Sequence, residues 1–184
     1  MKIHSYGIVL ESLCEEDIEM VRLWRNSELV RPYMHYQEHI EANAQKEWFK
    51  KLELKNNYYF IISYNGCKLG LIHVKEIDWQ TSCGEAGIFI GLPEFSNTLV
   101  PVLATLTLMD FAFQTLKLQK LKAKILRDNL KVIKFNLALG YRSVSINSEQ
   151  SYAYYEVTSN EYDSASKEMK SSLGKMEAPF KLEP

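Results

Sequence analysis

The 184-residue chain has no Cys-x-x-Cys pair, no bilayer-length apolar run and no excess of charge of either sign. Its three cysteines, Cys14, Cys67 and Cys83, lie far apart. An odd count with no pairing pattern argues for reduced thiols and a cytoplasmic setting, not a disulfide framework. The first residues, Met1-Lys2-Ile3-His4-Ser5-Tyr6, lack the apolar core of a secretory signal. No apolar stretch approaches about 18 residues, the length a spanning helix needs, so no membrane partner is expected. Lysine and arginine number 22 against 23 acidic residues, a formal net charge of −1. No overall field then favours nucleic acid, although a local basic patch remains compatible with that balance. The sequence also shows no internal repeat, low-complexity tract or linker.

What is present is an ordinary globular mixture, 46% hydrophobic and 24% charged, at a length that fits one domain. Ile3 to Glu11 reads as a strand. Ser12-Leu13-Cys14-Glu15 fits a capping box before a helix to Asn26. Pro32 breaks it, and a second helix starts near Glu41. Tyr58–Tyr64 and Lys68–Ile77 read as strands joined at Asn65-Gly66, a strong hairpin turn. Ser82–Gly91 is a further strand. Leu99–Leu118 carries apolar residues at helical spacing on a wide face, with Pro101 near its start. Lys120–Arg127 is a strand, and Asn129–Leu139 a helix with Gly140 as its left-handed cap. Tyr141–Ile146 and Tyr152–Thr158 form a terminal hairpin, and Asn160 caps a last helix to Leu173. The order βααβββαβαββα means α/β with a mixed, mostly antiparallel sheet of about seven strands. Residues 1–173 then make a single domain, and 174–184 a loose tail.

The stretch from Glu85 to Tyr141 organises the rest. It runs strand, loop, helix, strand, helix, turn, and a helix N-terminus beside a strand end is a ready anion site. Three pieces of it, Glu85-Ala-Gly-Ile-Phe-Ile-Gly91, Asp110-Phe-Ala-Phe113 and Asp128-Asn-Leu-Lys-Val-Ile-Lys-Phe-Asn-Leu-Ala-Leu-Gly-Tyr141, resemble the GNAT superfamily of acyl-CoA-dependent N-acyltransferases. The last is similar to that family's Asn-x-x-Ala-Ile-x-x-Tyr-x-x-Leu-Gly-Phe ending. Trp24-Arg25-Asn26, with Arg31 and Tyr33-Met34 after it, resembles the branch that acetylates amino sugars on nucleotide carriers, to which the ribosomal-protein N-terminal acetyltransferases are related.

The resemblance implies a twisted sheet flanked by helices and splayed between its fourth and fifth strands. It implies acetyl-CoA as cosubstrate and a small-molecule amine as acceptor, best guessed as an amino-sugar nucleotide, with a protein or peptide amine second. Family members often dimerise, so a homodimer is compatible with it. It implies cofactor contacts at Ile88, Phe89 and Ile90 on the fourth strand, at Thr98, Leu99 and Val100 before the next helix, and at Asn129. Glu85 stands where a family base often sits and acts through water, with His73 its rival. Arg25, Arg31 and His35 fall in the acceptor-facing segment, where arginines pair well with phosphate. His39 lies there too and reads as surface.

Two departures stand out. The family's Arg/Gln-x-x-Gly-x-Gly/Ala loop is here Ser96-Asn97-Thr98-Leu99-Val100-Pro101. Leu99 and Pro101 replace glycines that let the backbone approach a diphosphate, and Pro101 lacks an N–H. Asn136 stands where many members carry a tyrosine that protonates the thiolate; an amide cannot do that, but as a catalytic candidate it can hydrogen-bond the sulfur or a water, or simply be polar helix surface. These changes also fit a second reading, a GNAT-fold binding module without catalysis. The spacing His35-Tyr-Gln-Glu-His39 matches a zinc-peptidase pattern formally. No third ligand or helical stripe accompanies it, so no metal is assigned.

Overall fold

Nine strands make one sheet among the described residues, built from short β-branched and aromatic runs that break at positive-φ turns. This computed structural model describes residues 1–145, 151–173 and 181–183. β1 (Lys2–Ser5) and β2 (Ile8–Ser12) are two strands where the sequence suggested one. Tyr6 and Gly7, at φ 51° and 73°, fold that segment into a hairpin. Asn65 and Gly66 do the same between β3 (Tyr58–Tyr64) and β4 (Cys67–Asp78), as expected. β5 (Cys83–Ile90) runs antiparallel to β4, and β6 (Lys120–Leu126) parallel to β5. β7 (Arg142–Ser145) and β8 (Tyr152–Thr158) pair as the terminal hairpin; Ile146, its expected end, lies outside the described residues.

β9 (Lys181–Glu183) pairs with β1, so the far end of the expected loose tail supplies an edge strand. Residues 174–180 and 184 of that tail lie outside the described residues. The order across the sheet is β7-β8-β6-β5-β4-β3-β2-β1-β9. The split first strand and β9 raise the count from the expected about seven to nine, and the sheet is mixed and mostly antiparallel as expected.

α1 (Ile18–Asn26) and α2 (Ala42–Lys50) cover one face of the sheet through Val21, Trp24, Trp48 and Phe49. The first helical turn begins at Cys14, not Ser12, because Ser12 is spent in β2. The Cys14 N–H donates to Asp17 Oδ2 instead, at 3.5 Å. On the other face lie α3 (Val100–Asp110), α4 (Leu130–Ala138) and α5 (Ser159–Leu173), over the main core of Phe60, Ile72, Leu106, Phe111 and Leu121. α3 is shorter than its apolar run because residues 111–115 widen into a π turn, in which the Leu116 N–H reaches Phe111 O. Asp110, 6% exposed, accepts from Tyr6 Oη at 3.0 Å, Tyr162 Oη at 2.9 Å and Lys170 Nζ at 2.6 Å. It thereby locks α3 to α5 and to the first hairpin.

Candidate active site

The site is a fork in the sheet. β5 and β6 pair at Cys83–Lys120, Gly84–Leu121 and Glu85–Lys122, and nowhere further. From Ala86 to Ile90 β5 runs on without β6 beside it. Backbone groups along that edge therefore lack a strand partner and are available to a ligand. Ile88 and Ile90 send their side chains into the main core, and Phe89 into the α1–α2 cluster. What these three offer a slot between the strands is backbone.

Two helix starts stand at the open end, α3 after β5 and α4 after β6. A free helix start presents four unpartnered N–H groups. At α3 two of these are gone: Pro101 has none, and the Val100 N–H donates to Thr98 Oγ1 at 3.2 Å. Thr98 is thus a cap, and its hydroxyl also donates to Phe95 O at 2.8 Å. Leu99 points outward, 58% exposed, while the Val100 side chain is buried at 4%. At α4, Asn129 Oδ1 caps the Val132 N–H at 3.3 Å, which leaves its amide Nδ2 for a second partner. Asn136, two turns on along the same face, spends its Nδ2 on Val132 O at 2.9 Å. Lys131 reaches across the mouth to Asn97 Oδ1 at 2.5 Å and Ser96 O at 3.5 Å. Sequence reasoning missed this lysine, which puts a cation beside the loop that lacks its arginine. The mouth thus combines a free β5 edge, the amide of Asn129 and the ammonium of Lys131, with fewer backbone donors than the loop pattern implied.

The opposite side of the fork faces α1. Trp24 lies flat on Gly91, where a Cβ would fall 2.3 Å from the indole. Asn26 fixes the following loop, donating to Ile40 O at 2.9 Å and accepting from Ile40 N at 2.8 Å. Between them Arg25 is half-buried, its Nε enclosed without a partner, and burial lowers its pKa. Glu85 sits at the last paired position and meets Lys75 Nζ at 3.0 Å. His73 lies opposite Gly87 in register. His35 is exposed and touches Lys124 Nζ at 3.2 Å and, edge-on, Tyr152 at 5.2 Å. The expected residues Arg25, His35, His73 and Glu85 thus share one face, joined by Lys124 and Tyr152, which carried no signal of their own. Arg31 caps no charge: among the described residues neither arginine, Lys122 nor Lys124 meets a carboxylate. His39 lies 3.7 Å from Glu41 on the surface, and no metal-like cluster occurs among the described residues.

A single sheet opened between two parallel strands, with helix starts at the mouth, defines an acyltransferase-type scaffold. A model of the acetyltransferase (GNAT) domain matches residues 8–142. The chain belongs to the GNAT acetyltransferase family. Among solved structures, it resembles apo FdhC, a nucleotide-linked sugar GNAT, at 20% identity and a TM-score of 0.79, over 95% of this chain and 99% of that one. A spermidine N-acetyltransferase from Vibrio cholerae, in complex with CoA and spermine, matches at 19% identity and a TM-score of 0.75, over 85% and 98%. A domain from Methanocaldococcus jannaschii matches at 22% identity and 0.71, over 82% and 97%. At these identities the structures speak to the fold alone. A search of curated proteins found no match.

Proposed function

We propose that the protein moves an acetyl group from acetyl-CoA to the primary amine of a small anionic acceptor in the cytoplasm, an amino-sugar nucleotide being the acceptor that best suits the site. The observation that carries the transferase reading is the parting of β5 from β6 after Glu85. The thioester arm lies in that slot, its carbonyl oxygen taken by the free β5 backbone, with Asn129 Nδ2 on the arm and Lys131 at the diphosphate. The amine enters from the α1 side. Its nitrogen bonds to the acyl carbon, the C–S bond breaks, and the sulfur leaves with the bonding pair. Glu85 takes the amine proton through water. Asn136 cannot supply the thiolate with a proton, so that proton comes from solvent. Positioning supplies most of the acceleration in such a direct attack.

Arg25, Arg31 and Lys124 support an anionic acceptor, since cations without carboxylates suit a diphosphate. Two measurements test the reading. Calorimetry with acetyl-CoA should show one site; no heat and no thermal shift at high ligand concentration would end the transferase reading and leave a shared scaffold. Glu85→Gln should remove the acidic limb of the pH–rate profile, and an unaltered profile would pass the proton to another group.

A further inference from the structure

Two enclosed polar atoms on the acceptor face have no partner, Nε of Arg25 and Nδ1 of His73. His73 lies on β4 directly across from Gly87, two residues beyond the last β5–β6 pair. A Cβ on Gly87 would fall 2.7 Å from both Cε1 and Nε2 of the imidazole, well inside contact distance. The ring therefore lies over the Gly87 backbone of β5, with Cε1 and Nε2 as its leading edge. Only glycine admits it there. Tyr59 backs the ring at 5.0 Å, tilted 33°. The charged and titratable groups around it are Arg25 from α1, Tyr59 from β3, Lys75 on its own strand and Glu85 from β5, the last paired with Lys75.

Burial first, then the charges of Lys75 and Arg25, pull the imidazole pKa down from 6.5 to about 3. The ring is neutral in any working range and has one N–H to place. Nδ1 is enclosed with no acceptor in reach, so a proton there would be a buried donor without a partner. The proton belongs on Nε2, at the edge over Gly87.

We propose that the Nε2–H of His73 donates a hydrogen bond to the carbonyl oxygen of an acyl-CoA thioester lying in the fork, as a second donor beside the β5 backbone. This rests on the transferase reading above and adds a residue to it. When the amine nitrogen bonds to the acyl carbon, the carbonyl π pair moves onto oxygen. A donor already aimed at that oxygen stabilises the charge without reorganising. When the C–S bond breaks the pair returns, and His73 keeps its proton throughout. A neutral imidazole suits this role better than an imidazolium, which would repel an amine still carrying its proton.

The test uses acetyl-CoA labelled with ¹³C at the carbonyl, bound to the intact protein and read by isotope-edited infrared spectroscopy. In the wild type the carbonyl band should lie below that of free acetyl-CoA. His73→Phe keeps the ring and removes the donor, so the band should move back toward the free value. His73→Gln keeps an N–H and should hold the band low. With an accepted amine, kcat of His73→Phe should fall about 100-fold with little change in acceptor KM, in line with loss of one oxyanion donor, and His73→Gln should recover part of it. Gly87→Ala, which pushes the ring off the strand, gives the same spectral shift should His73→Phe fail to fold. One band position in wild type and variants overturns this assignment alone. Failure of acetyl-CoA to bind the wild type overturns the transferase reading, and this assignment with it.

Discussion

A half-buried histidine held neutral leaves a thermodynamic trace that does not depend on catalysis. His73 titrates at about 3 in the folded protein against 6.5 for an unperturbed imidazole. Between those values the unfolded chain binds a proton that the folded one refuses. Stability is therefore full above about pH 6.5 and falls as the pH drops toward 3, by at most about 1.4 kcal/mol per unit. Urea denaturation between pH 6.5 and 5 isolates this effect, since the lowered carboxylates begin below 4.5. His73→Phe should flatten the slope in that window; equal slopes would mean that the ring is not desolvated. At this scale the sequence was informative about identity and silent about environment. Glu85 and His73 were both visible as polar residues in strands. That one is ion-paired and the other uncharged comes from Lys75, Arg25 and Gly87, which the register brings beside them. Lys131 and Lys124 were illegible for the same reason, since their partners lie 34 and 89 positions away.

At the scale of elements, most of the fold follows from periodicity and turn chemistry. Asn65-Gly66, the Asn129 cap and Gly140 at φ 91° appear where the residues require them. The first hairpin was hidden because Tyr6 supplies a positive φ that few tyrosines adopt. The π turn after Asp110 was hidden because an apolar run buried on all sides has no face to mark its end. Asp110 itself is an acid in that run, and it joins three elements. Asp110→Ala removes the carboxylate to which the Lys170 ammonium and the Tyr6 and Tyr162 hydroxyls donate, and leaves Tyr162 with Leu106 O. Unfolding free energy should drop by roughly 2–4 kcal/mol, measured by denaturant titration, and a change within error would show that α5 docks without it. At the start of α3, Leu99→Gly with Pro101→Gly restores close backbone approach and one N–H. CoA affinity should rise severalfold by calorimetry, through the restored N–H and the closer backbone approach. Unchanged affinity in a folded variant would mean that Lys131 and Asn129 already hold the cofactor without that turn.

Across the whole molecule the charges balance, yet the side of the fork beneath α1 carries cations that no carboxylate meets. Arg25, Arg31, Lys122 and Lys124 meet no carboxylate among the described residues, while Glu85 is held by Lys75 and Glu156 by Lys120. A polycation approaching that face meets like charge, which costs most where Arg25 is already desolvated. An acceptor with a diphosphate meets cations that no carboxylate among the described residues neutralises. The fold cannot decide between these, since structures of both a spermidine enzyme and a nucleotide-linked sugar enzyme share it. The side chains do. Wild-type kcat/KM should be larger for an amino-sugar nucleotide than for spermidine, by at least about tenfold if one buried arginine–phosphate pair is made. Arg25→Gln should erase most of that preference by raising KM for the anionic acceptor, while leaving acetyl-CoA affinity unchanged. The preference should also shrink with added salt, less steeply than surface charges would give, because Arg25 is half-buried. Spermidine as the better substrate, or a preference indifferent to Arg25, would place the acceptor's charge elsewhere and send the search to the exposed loop around His35.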